Sequence, residues 1–473
     1  MESTTITLPF APNLVWGALG LLAIAVACIV VFAIMPSRND RRKYTQKFRD
    51  WFQRRPLRSF ILVMQCIFAL VVVLAWVLLA YVLFTGLFEL ILTVLNEASP
   101  NRDDKDEVWE FRFKLVQITA LTTVLAAIVA LPLTVIRLRL TQKQTDTATE
   151  SLFNEKINAA TQGLYARRQV TEWHRQKGYV DHWQDDIVQR CAAIDRLEGL
   201  ARENNAETPR IARLLSVYVC ELSSDVQPQT PPNDATPKEL QSWARQLPKP
   251  RSDMEKAAQT LGRLHKYAQS PLENGEIDLR GANLQKCDLN ELAFDNALFE
   301  VAKLQGANLQ GAKLKGANLH GAKLQGTNLV GTKLHGADLS AAASQGADLA
   351  AARMQGAHLI CAQLQRAHIL DADLRGANLI AAKLQGASFE STLFDAKIYL
   401  FDATLRGAAV KEVDFTNIPQ ITEHLNDLFG DASVALPDGV PAPDHWSDKT
   451  LAYDDFHNQW RAWQATLPEG WDE

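Results

Sequence analysis

Long apolar stretches alternate with polar ones in the first 140 residues. Leu14 to Met35 is an uncharged apolar run of 22 residues, and a helix needs ~20 such residues to cross a bilayer. Further runs extend over 60–95 and 115–136. We predict membrane spans at about 14–35, 60–84 and 115–136, with a helical extension after the second. A cleaved signal peptide is the alternative for the first run.

The charges between these runs predict an orientation. Residues 37–59 hold nine Lys and Arg against two Asp, whereas 96–114 hold four basic and six acidic residues. Because positive loops stay cytoplasmic, we expect the N-terminus and 96–114 outside and everything after about 137 in the cytoplasm. The centres of the spans carry no Asp, Glu, Lys or Arg, which favours anchorage over transport.

The segment 140–226 has a helical pattern, with apolar residues three and four apart in two stretches. We predict two antiparallel cytoplasmic helices joined at 202–209. Six prolines in 227–250 predict an extended linker. Ser252 and Glu255 have the spacing of a capping box, which would open a helix within 251–276. We expect that helix to cover the end of the domain that follows.

A five-residue period begins at 277. From Leu279 to Phe394 every fifth residue is large and apolar, apart from Ser344, which gives 24 units; one extra residue precedes Leu400, and four more units follow. A period of five fits neither a helix nor a strand. We predict a β-solenoid over 277–415, with one pentapeptide per side and four per coil. Its axis would be filled by central residues such as Leu284, Leu304, Leu309, Leu314, Leu319, Leu324, Leu329, Leu374 and Leu379.

The unit A-[N/D/K]-L-x-G is similar to that of the pentapeptide-repeat family, and the resemblance covers about 139 residues. It implies a right-handed quadrilateral β-helix. The stretches RCAAIDRLEGLAREN and IARLLSVYVCELS resemble the helical segment between membrane helices and repeats in bacterial membrane-anchored members. The resemblance therefore implies a multi-pass protein of a bacterial inner membrane, with no activity attached to that segment.

The tail 416–473 is expected to cap the far end of the solenoid. Pro419 predicts the start of an amphipathic helix that ends at Gly430. Its inward residues would be Ile421, Leu425, Leu428 and Phe429. A second docking helix would present the stripe Tyr453, Phe456, Trp460, Trp463 and Leu467.

The histidines and cysteines form no catalytic, cofactor-binding or metal-binding motif. His358 and His368 are ten residues apart, so they lie on opposite sides of a four-sided coil. Cys287 occupies an inward small-residue position and Cys361 a corner position. We therefore predict a protein that is not an enzyme and holds neither a cofactor nor a metal.

The known activity most associated with this family is DNA mimicry toward gyrase, which requires a net negative surface. Residues 277–415 hold nine Lys and five Arg against ten Asp and four Glu, a net charge of zero. We also expect no nucleic-acid binding, because the rod offers no exposed aromatic side chains for base stacking.

Several outward positions of the repeats are apolar, and they are the candidate protein contacts. Val330, Ala350 and Leu370 lie on one side, and Ile360 and Ile380 lie on the opposite side. Scattered surface aliphatics are an equally simple explanation.

These features predict a membrane-anchored scaffold that presents a rigid rod to the cytoplasm. Its partners would be the lipid bilayer and either an unidentified protein or a second copy of itself. The alternatives are a sensor of envelope stress or signals, and a gyrase regulator of the DNA-mimic type.

Overall fold

The computed structural model describes residues 57–96, 105–232, 235–269, 272, 275–468 and 470–471. The predicted first span at 14–35 lies outside them. The chain divides into two compact units, Met1–Glu150 and Ser151–Glu473.

Two long helices dominate the first unit. Helix α1 is Leu57–Asn96, and helix α2, Lys105–Leu164, begins in this unit and ends in the second. Within them, Leu70–Asn96 and Asp106–Leu164 are long and apolar enough to cross a membrane. The predicted spans at 60–84 and 115–136 lie inside these helices.

The second unit begins with a small helical core. The end of α2 packs with helix α3, Ile187–Glu203, and helix α4, Thr208–Ser224. Their apolar stripes meet because each buries residues three and four positions apart. The buried residues include Ile157, Ala160, Leu164, Ile194, Leu197, Ile211, Leu215 and Val219.

A β-hairpin interrupts the segment that we predicted to be helical throughout. Strand β1, Arg167–His174, pairs antiparallel with strand β2, Gly178–Asp185. Gly178 supplies a positive φ of 71° after the turn. The helical prediction for 140–226 is therefore wrong between 167 and 185. Aromatic and β-branched residues on both sides of a glycine-containing turn were the missed signal.

The proline-rich segment also contains a helix, so its prediction as an extended linker is wrong in part. Helix α5 is Pro237–Gln246. It begins with a capping box, in which Thr236 and Glu239 satisfy each other's backbone N–H groups. Leu240 and Ala244 are buried, and an added Cβ at Gly306 would lie 2.9 Å from the Ala244 carbonyl oxygen. Helix α5 therefore packs on a corner of the solenoid.

The solenoid has a register of 20 residues per coil. Parallel bridges join Asp278 to Leu298 and Asn283 to Lys303, and the pattern repeats along the stack. We number the four faces in chain order, so that faces 1 to 4 begin at the central residues Leu279, Leu284, Leu289 and Phe294. Central residues 20 apart share a face, and faces 1 and 3 lie opposite each other.

The nine leucines predicted to fill the axis are buried, each no more than 1% exposed. The corners explain the glycine period. Ala282 N–H donates to the Leu279 carbonyl at 3.2 Å, which closes a four-residue turn whose third residue, Gly281, has φ 66°. A positive φ at that turn position favours glycine.

One extra residue shifts the register from 20 to 21 before Leu400, as predicted, because Asn378 pairs with Tyr399 and Lys383 with Thr404. Three short strands follow: β3, Ser388–Glu390; β4, Ala408–Lys411; and β5, Leu428–Phe429. They form one parallel sheet in the order β3-β4-β5.

Helix α6, Ser252–Leu264, closes the N-terminal end of the solenoid. The predicted capping box at Ser252 is wrong. Arg251 is the N-cap residue, without a side-chain capping bond. Glu255 is used differently, because its Oε1 accepts the backbone N–H of Asp288 at 2.9 Å.

The first coil has no preceding coil to accept its N–H groups. The N–H of Asp278 on face 1 donates to Ser216 Oγ of α4 at 3.2 Å. That of Ala293 on face 4 donates to the Gly262 carbonyl of α6 at 3.1 Å. With the Asp288 bond to Glu255 on face 3, helices α4 and α6 satisfy donors on three of the four faces. An unpaired buried donor would cost about 1–3 kcal/mol.

The C-terminal cap differs from the prediction. Pro419 opens a short 3₁₀ turn, Pro419–Glu423, and not an amphipathic α-helix. The chain then re-enters the stack through β5, and Asp414 pairs with Ala435. The solenoid therefore continues beyond 415, because the inward residues of 416–436 complete another coil. Those residues, Ile421, Leu425, Leu428 and Phe429, are buried.

Helix α7, Tyr453–Gln464, docks on the last coils. Its Phe456 is fully buried and contacts the Phe429 ring, with ring centroids 5.3 Å apart. Trp460 Nε1 donates to the Gly407 carbonyl at 2.8 Å. Tyr453, which we placed in the docking stripe, is 60% exposed, because it lies in the first turn of α7.

Candidate protein-interaction surfaces

The predicted contact residues Val330, Ala350 and Leu370 form one column on face 3. The backbone connects them coil by coil: Gly331 N–H donates to the Ala350 carbonyl at 2.8 Å, and Ala351 N–H donates to the Leu370 carbonyl at 2.7 Å. Leu370 is 38% exposed, while Val330 and Ala350 are half-buried. This column offers one well-exposed apolar side chain.

Glu390 continues the face 3 column, but helix α7 covers it. Glu390 is 7% exposed, and its Oε1 lies 3.1 Å from His457 Nε2. Burial alone would raise the pKa of Glu390, yet the contacts of His457 and Ser388 hold that pKa below its usual value. The face 3 column therefore ends under a folded part of the same chain.

The other predicted pair belongs to a longer column on face 1. Ile360 and Ile380 are half-buried, and the next outward residue in line, Phe401, is 73% exposed. Cys361 N–H donates to the Ile380 carbonyl and Ala381 N–H to the Phe401 carbonyl, both at 2.9 Å. We call Ile360, Ile380, Tyr399 and Phe401 the face 1 ridge.

The sequence analysis missed the aromatic end of this ridge. Tyr399 flanks the same central residue as Phe401, Leu400, and is 57% exposed. The statement that the rod lacks exposed aromatic side chains is therefore wrong. The signal was available, because shifting the frame by the one extra residue places both side chains in outward positions.

Face 4 carries a basic column that the net charge conceals. Lys313, Lys333 and Arg353 pair in successive coils, and Lys315 lies beside them on the same face. On these three coils, residues 313–316, 333–336 and 353–356 contain no carboxylate. The solenoid is neutral as a whole, but the middle of this face is positive.

The described residues contain no group of three or more His, Cys, Asp or Glu that could hold a metal. His358 pairs with Asp338 and Asn378, and His368 with Asp348 and Ser388, so the two histidines belong to opposite faces.

The described cysteines differ in exposure. Burial raises the pKa of Cys220 to about 11 and raises that of Cys287 still further. Cys361 is exposed at a corner beside the face 1 ridge.

Within 302–395 the chain matches the family model of pentapeptide repeats, with eight copies over 302–340, 345–379 and 357–395. This segment is a pentapeptide-repeat solenoid. Repeats of this type form a right-handed β-helix, which agrees with the observed coils. No curated protein matches the chain.

Solved structures of repeat proteins also match part of the chain. The fluoroquinolone resistance protein QnrB1 is 13% identical, covers 36% of this chain and 96% of its own, and gives a TM-score of 0.23. A pentapeptide repeat protein of the Arabidopsis thaliana thylakoid lumen is 23% identical, with coverages of 34% and 85% and a TM-score of 0.15. One from Nostoc is 28% identical, with coverages of 26% and 84% and a TM-score of 0.11.

Proposed function

We propose that this protein is a non-enzymatic scaffold, held at a membrane by α1 and α2, whose solenoid binds a protein partner through the face 1 ridge. The observation that carries the proposal is the column of Ile360, Ile380 and Phe401 on three consecutive coils. Exposed aromatic side chains beside aliphatic ones are common at the energetic centres of protein interfaces. A backbone ladder fixes their spacing, so little ordering entropy is lost on binding.

The exposed surface of α1 and α2 supports the membrane part of the proposal. Leu70, Val73 and Phe84 of α1 are 61%, 58% and 58% exposed, and Val116 and Leu133 of α2 are 65% and 62% exposed. Side chains of this kind are stable on a helix surface in lipid and unfavourable in water.

Polar side chains in the same part of α2 are satisfied within the helix. The hydroxyls of Thr119, Thr122 and Thr123 donate to the carbonyls four residues earlier, at 2.9, 2.6 and 2.8 Å. A hydrocarbon environment requires such internal pairing. The charge pattern of the loops then places the solenoid in the cytoplasm of a bacterium, at the inner membrane.

The charges of the solenoid do not favour gyrase regulation by DNA mimicry. A mimic of the DNA backbone needs rows of negative charge. The middle of face 4 instead presents Lys313, Lys315, Lys333 and Arg353. A protein partner that contacts face 4 would need an acidic surface.

Site-specific photo-crosslinking in cells tests the ridge. A photoreactive phenylalanine replaces Phe401 in one strain and His320 in another; both positions point outward on face 1, but His320 lies two coils before Ile360. We expect a discrete crosslinked protein from position 401 and little or none from position 320. The further change Ile380→Ser should abolish the product. Equal crosslinking from the two positions would contradict the proposal, and capture of gyrase would replace it by the DNA-mimic alternative.

A further inference from the structure

The β1–β2 hairpin is fixed to the rest of its unit at one end only. Arg190, which is 5% exposed, contacts Asp185 at 2.6 Å through Nη2 and donates from Nε to the Ala166 carbonyl at 3.1 Å. Asp186 N–H donates to the same carbonyl at 3.0 Å. Away from this base, Trp173, Tyr179 and Trp183 share one face of the hairpin and are 62%, 79% and 61% exposed.

A hairpin of this kind is marginally stable in water by itself, since three or more strands are usually needed. In the described part of the chain the sheet that contains β1 and β2 has these two strands only. Each strand therefore has an open edge, to which another strand can bind.

The hydrogen-bond pattern identifies the residues that face the open edge of β1. The carbonyls of Ala166 and His174 accept N–H groups from Asp186 and Lys177, on the β2 side of the hairpin. Antiparallel pairing uses alternate residues of a strand. The even-numbered residues of β1 therefore bond to β2, and the odd-numbered residues, from Arg167 to Trp173, direct their N–H and C=O groups outward.

The side chains of β1 are complementary to a second copy of β1. When two copies pair antiparallel about a two-fold axis at Val170, odd-numbered residues bond to odd-numbered residues, as the open edge requires. Arg168 of each copy then lies opposite Glu172 of the other, on the same side of the sheet as Val170. A shift of the axis by one residue places Arg168 opposite Val170 or His174, and larger shifts bring Arg168 or Glu172 opposite its own copy.

Strand β2 has no such complementarity. Its charged residues are Asp181 and Asp185, and it contains no Lys or Arg. Any pairing of two β2 strands therefore brings carboxylates together without a cation, and like charges opposite each other destabilise a sheet.

We propose that this chain forms a homodimer in which the β1 strands of two copies pair about a two-fold axis at Val170. The product is a four-stranded antiparallel sheet in the order β2-β1-β1-β2, which supplies the neighbour that the isolated hairpin lacks. Arg167 of each copy lies opposite Trp173 of the other, where a guanidinium can stack on an indole ring. This interface is separate from the solenoid and does not depend on the face 1 ridge.

Disulfide trapping of the full chain in its native membrane tests the register. Val170 lies on the axis in a pair without hydrogen bonds, where the Cα atoms are about 4.5 Å apart, within the range of a disulfide. Val170→Cys is compared with Val180→Cys, a half-buried valine on the same face of β2. Both carry Cys361→Ser, which removes the exposed native thiol. We expect mild oxidation to crosslink Val170→Cys at least about tenfold faster.

Charge exchange gives a second, independent readout. In the Val170→Cys background, Arg168→Glu turns two attractive pairs into two repulsive ones and should lower the crosslinking rate about five- to tenfold. Glu172→Arg should have the same effect. The double variant Arg168→Glu with Glu172→Arg restores both pairs and should recover most of the rate.

Equal crosslinking from positions 170 and 180, or no recovery in the double variant, overturns the proposal. If the aromatic face instead binds the bilayer, Trp173 fluorescence will be quenched by brominated lipid and Val170→Cys will stay monomeric. If another protein's strand occupies β1, a disulfide between two copies will not form either. Both results also overturn the homodimer.

Discussion

Closure of the first coil by helix α6 can be tested with one methyl group. Gly262 lies in the middle of α6, where an added Cβ would be 2.6 Å from Leu292 Cβ and 3.0 Å from Phe294 Cζ. Gly199, in the middle of α3, has no atom within 4 Å of an added Cβ. Both glycines are helical, so Gly→Ala brings each the same gain in helix propensity, about 1 kcal/mol.

The two variants should differ because one of them meets the solenoid. Leu292 Cβ is attached directly to the backbone of the first coil and cannot rotate away. An extra carbon in a packed interface costs about 1–3 kcal/mol, and separating α6 also weakens the bond from Ala293 N–H to Gly262, worth about 1 kcal/mol. Gly199→Ala should stabilise by about 1 kcal/mol, and Gly262→Ala should destabilise by up to about 3 kcal/mol.

Hydrogen exchange of the full chain in detergent, followed by mass spectrometry, measures this difference locally. The amides of Asp288 and Ala293 bond to α6, so their exchange should accelerate at least about tenfold in Gly262→Ala, which corresponds to about 1.4 kcal/mol. Amides of the middle coils, such as that of Leu334, should not change. If Gly262→Ala protects the first coil as well as Gly199→Ala does, the packing argument is refuted.

Three further predictions concern the caps and the exposed thiol. Burial lowers the pKa values of His265 and His424; the unfolded chain therefore binds these protons more readily, and their contribution, complete above about pH 6.5, should be lost as the pH falls toward 5. Thermal unfolding across that range should show the loss, and His424→Gln should reduce it; a melting temperature that is flat from pH 7 to 5 would refute the assignment. Lys411 Nζ lies 3.2 Å from Asp431, whose side chain is fully buried, so Lys411→Met should destabilise the C-terminal cap by about 3–5 kcal/mol; limited proteolysis of the tail measures this, and the added change Asp431→Asn should restore much of the resistance. Purified protein should react with maleimide at Cys361 and not at Cys220 or Cys287, as peptide mass spectrometry can verify; rapid reaction of either buried thiol in folded protein would contradict the packing.

The repeat is the part of the fold that sequence predicts well. Every unit places a large residue such as Leu304 on the axis, and one position repeated many times leaves the period in no doubt. The extra residue before Leu400 was detectable for the same reason. The solenoid is a one-dimensional stack, so its local rule determines its global structure.

The caps were harder to predict because their contacts are singular. Ser252 and Glu255 have the spacing of a capping box, but the unpaired N–H of Asp288 provides a competing partner for Glu255. The stripe after Pro419 was correctly assigned to the interior, yet its chain follows the coil, since β4 offers an open edge to Leu428 and Phe429. These choices depend on neighbours distant in sequence.

The candidate surface was predicted in part. Ile360 and Ile380 were identified from their outward positions, whereas Tyr399 and Phe401 were not. Burial of Glu390 under α7 could not be read from the sequence, because it depends on where the tail folds back. That contact is what distinguishes face 3, which the chain itself covers, from face 1.

The most direct test of the scaffold proposal is the reactivity of Cys361 in native membranes. Inside-out vesicles expose the cytoplasmic side to a membrane-impermeant maleimide, and peptide mass spectrometry follows modification of this one residue. The proposal predicts that Cys361 reacts in these vesicles, more slowly than in purified protein because a partner covers the face 1 ridge, and that Phe401→Ser restores the faster rate. Reaction in right-side-out vesicles alone, or identical rates in native membranes, purified protein and Phe401→Ser, would contradict it.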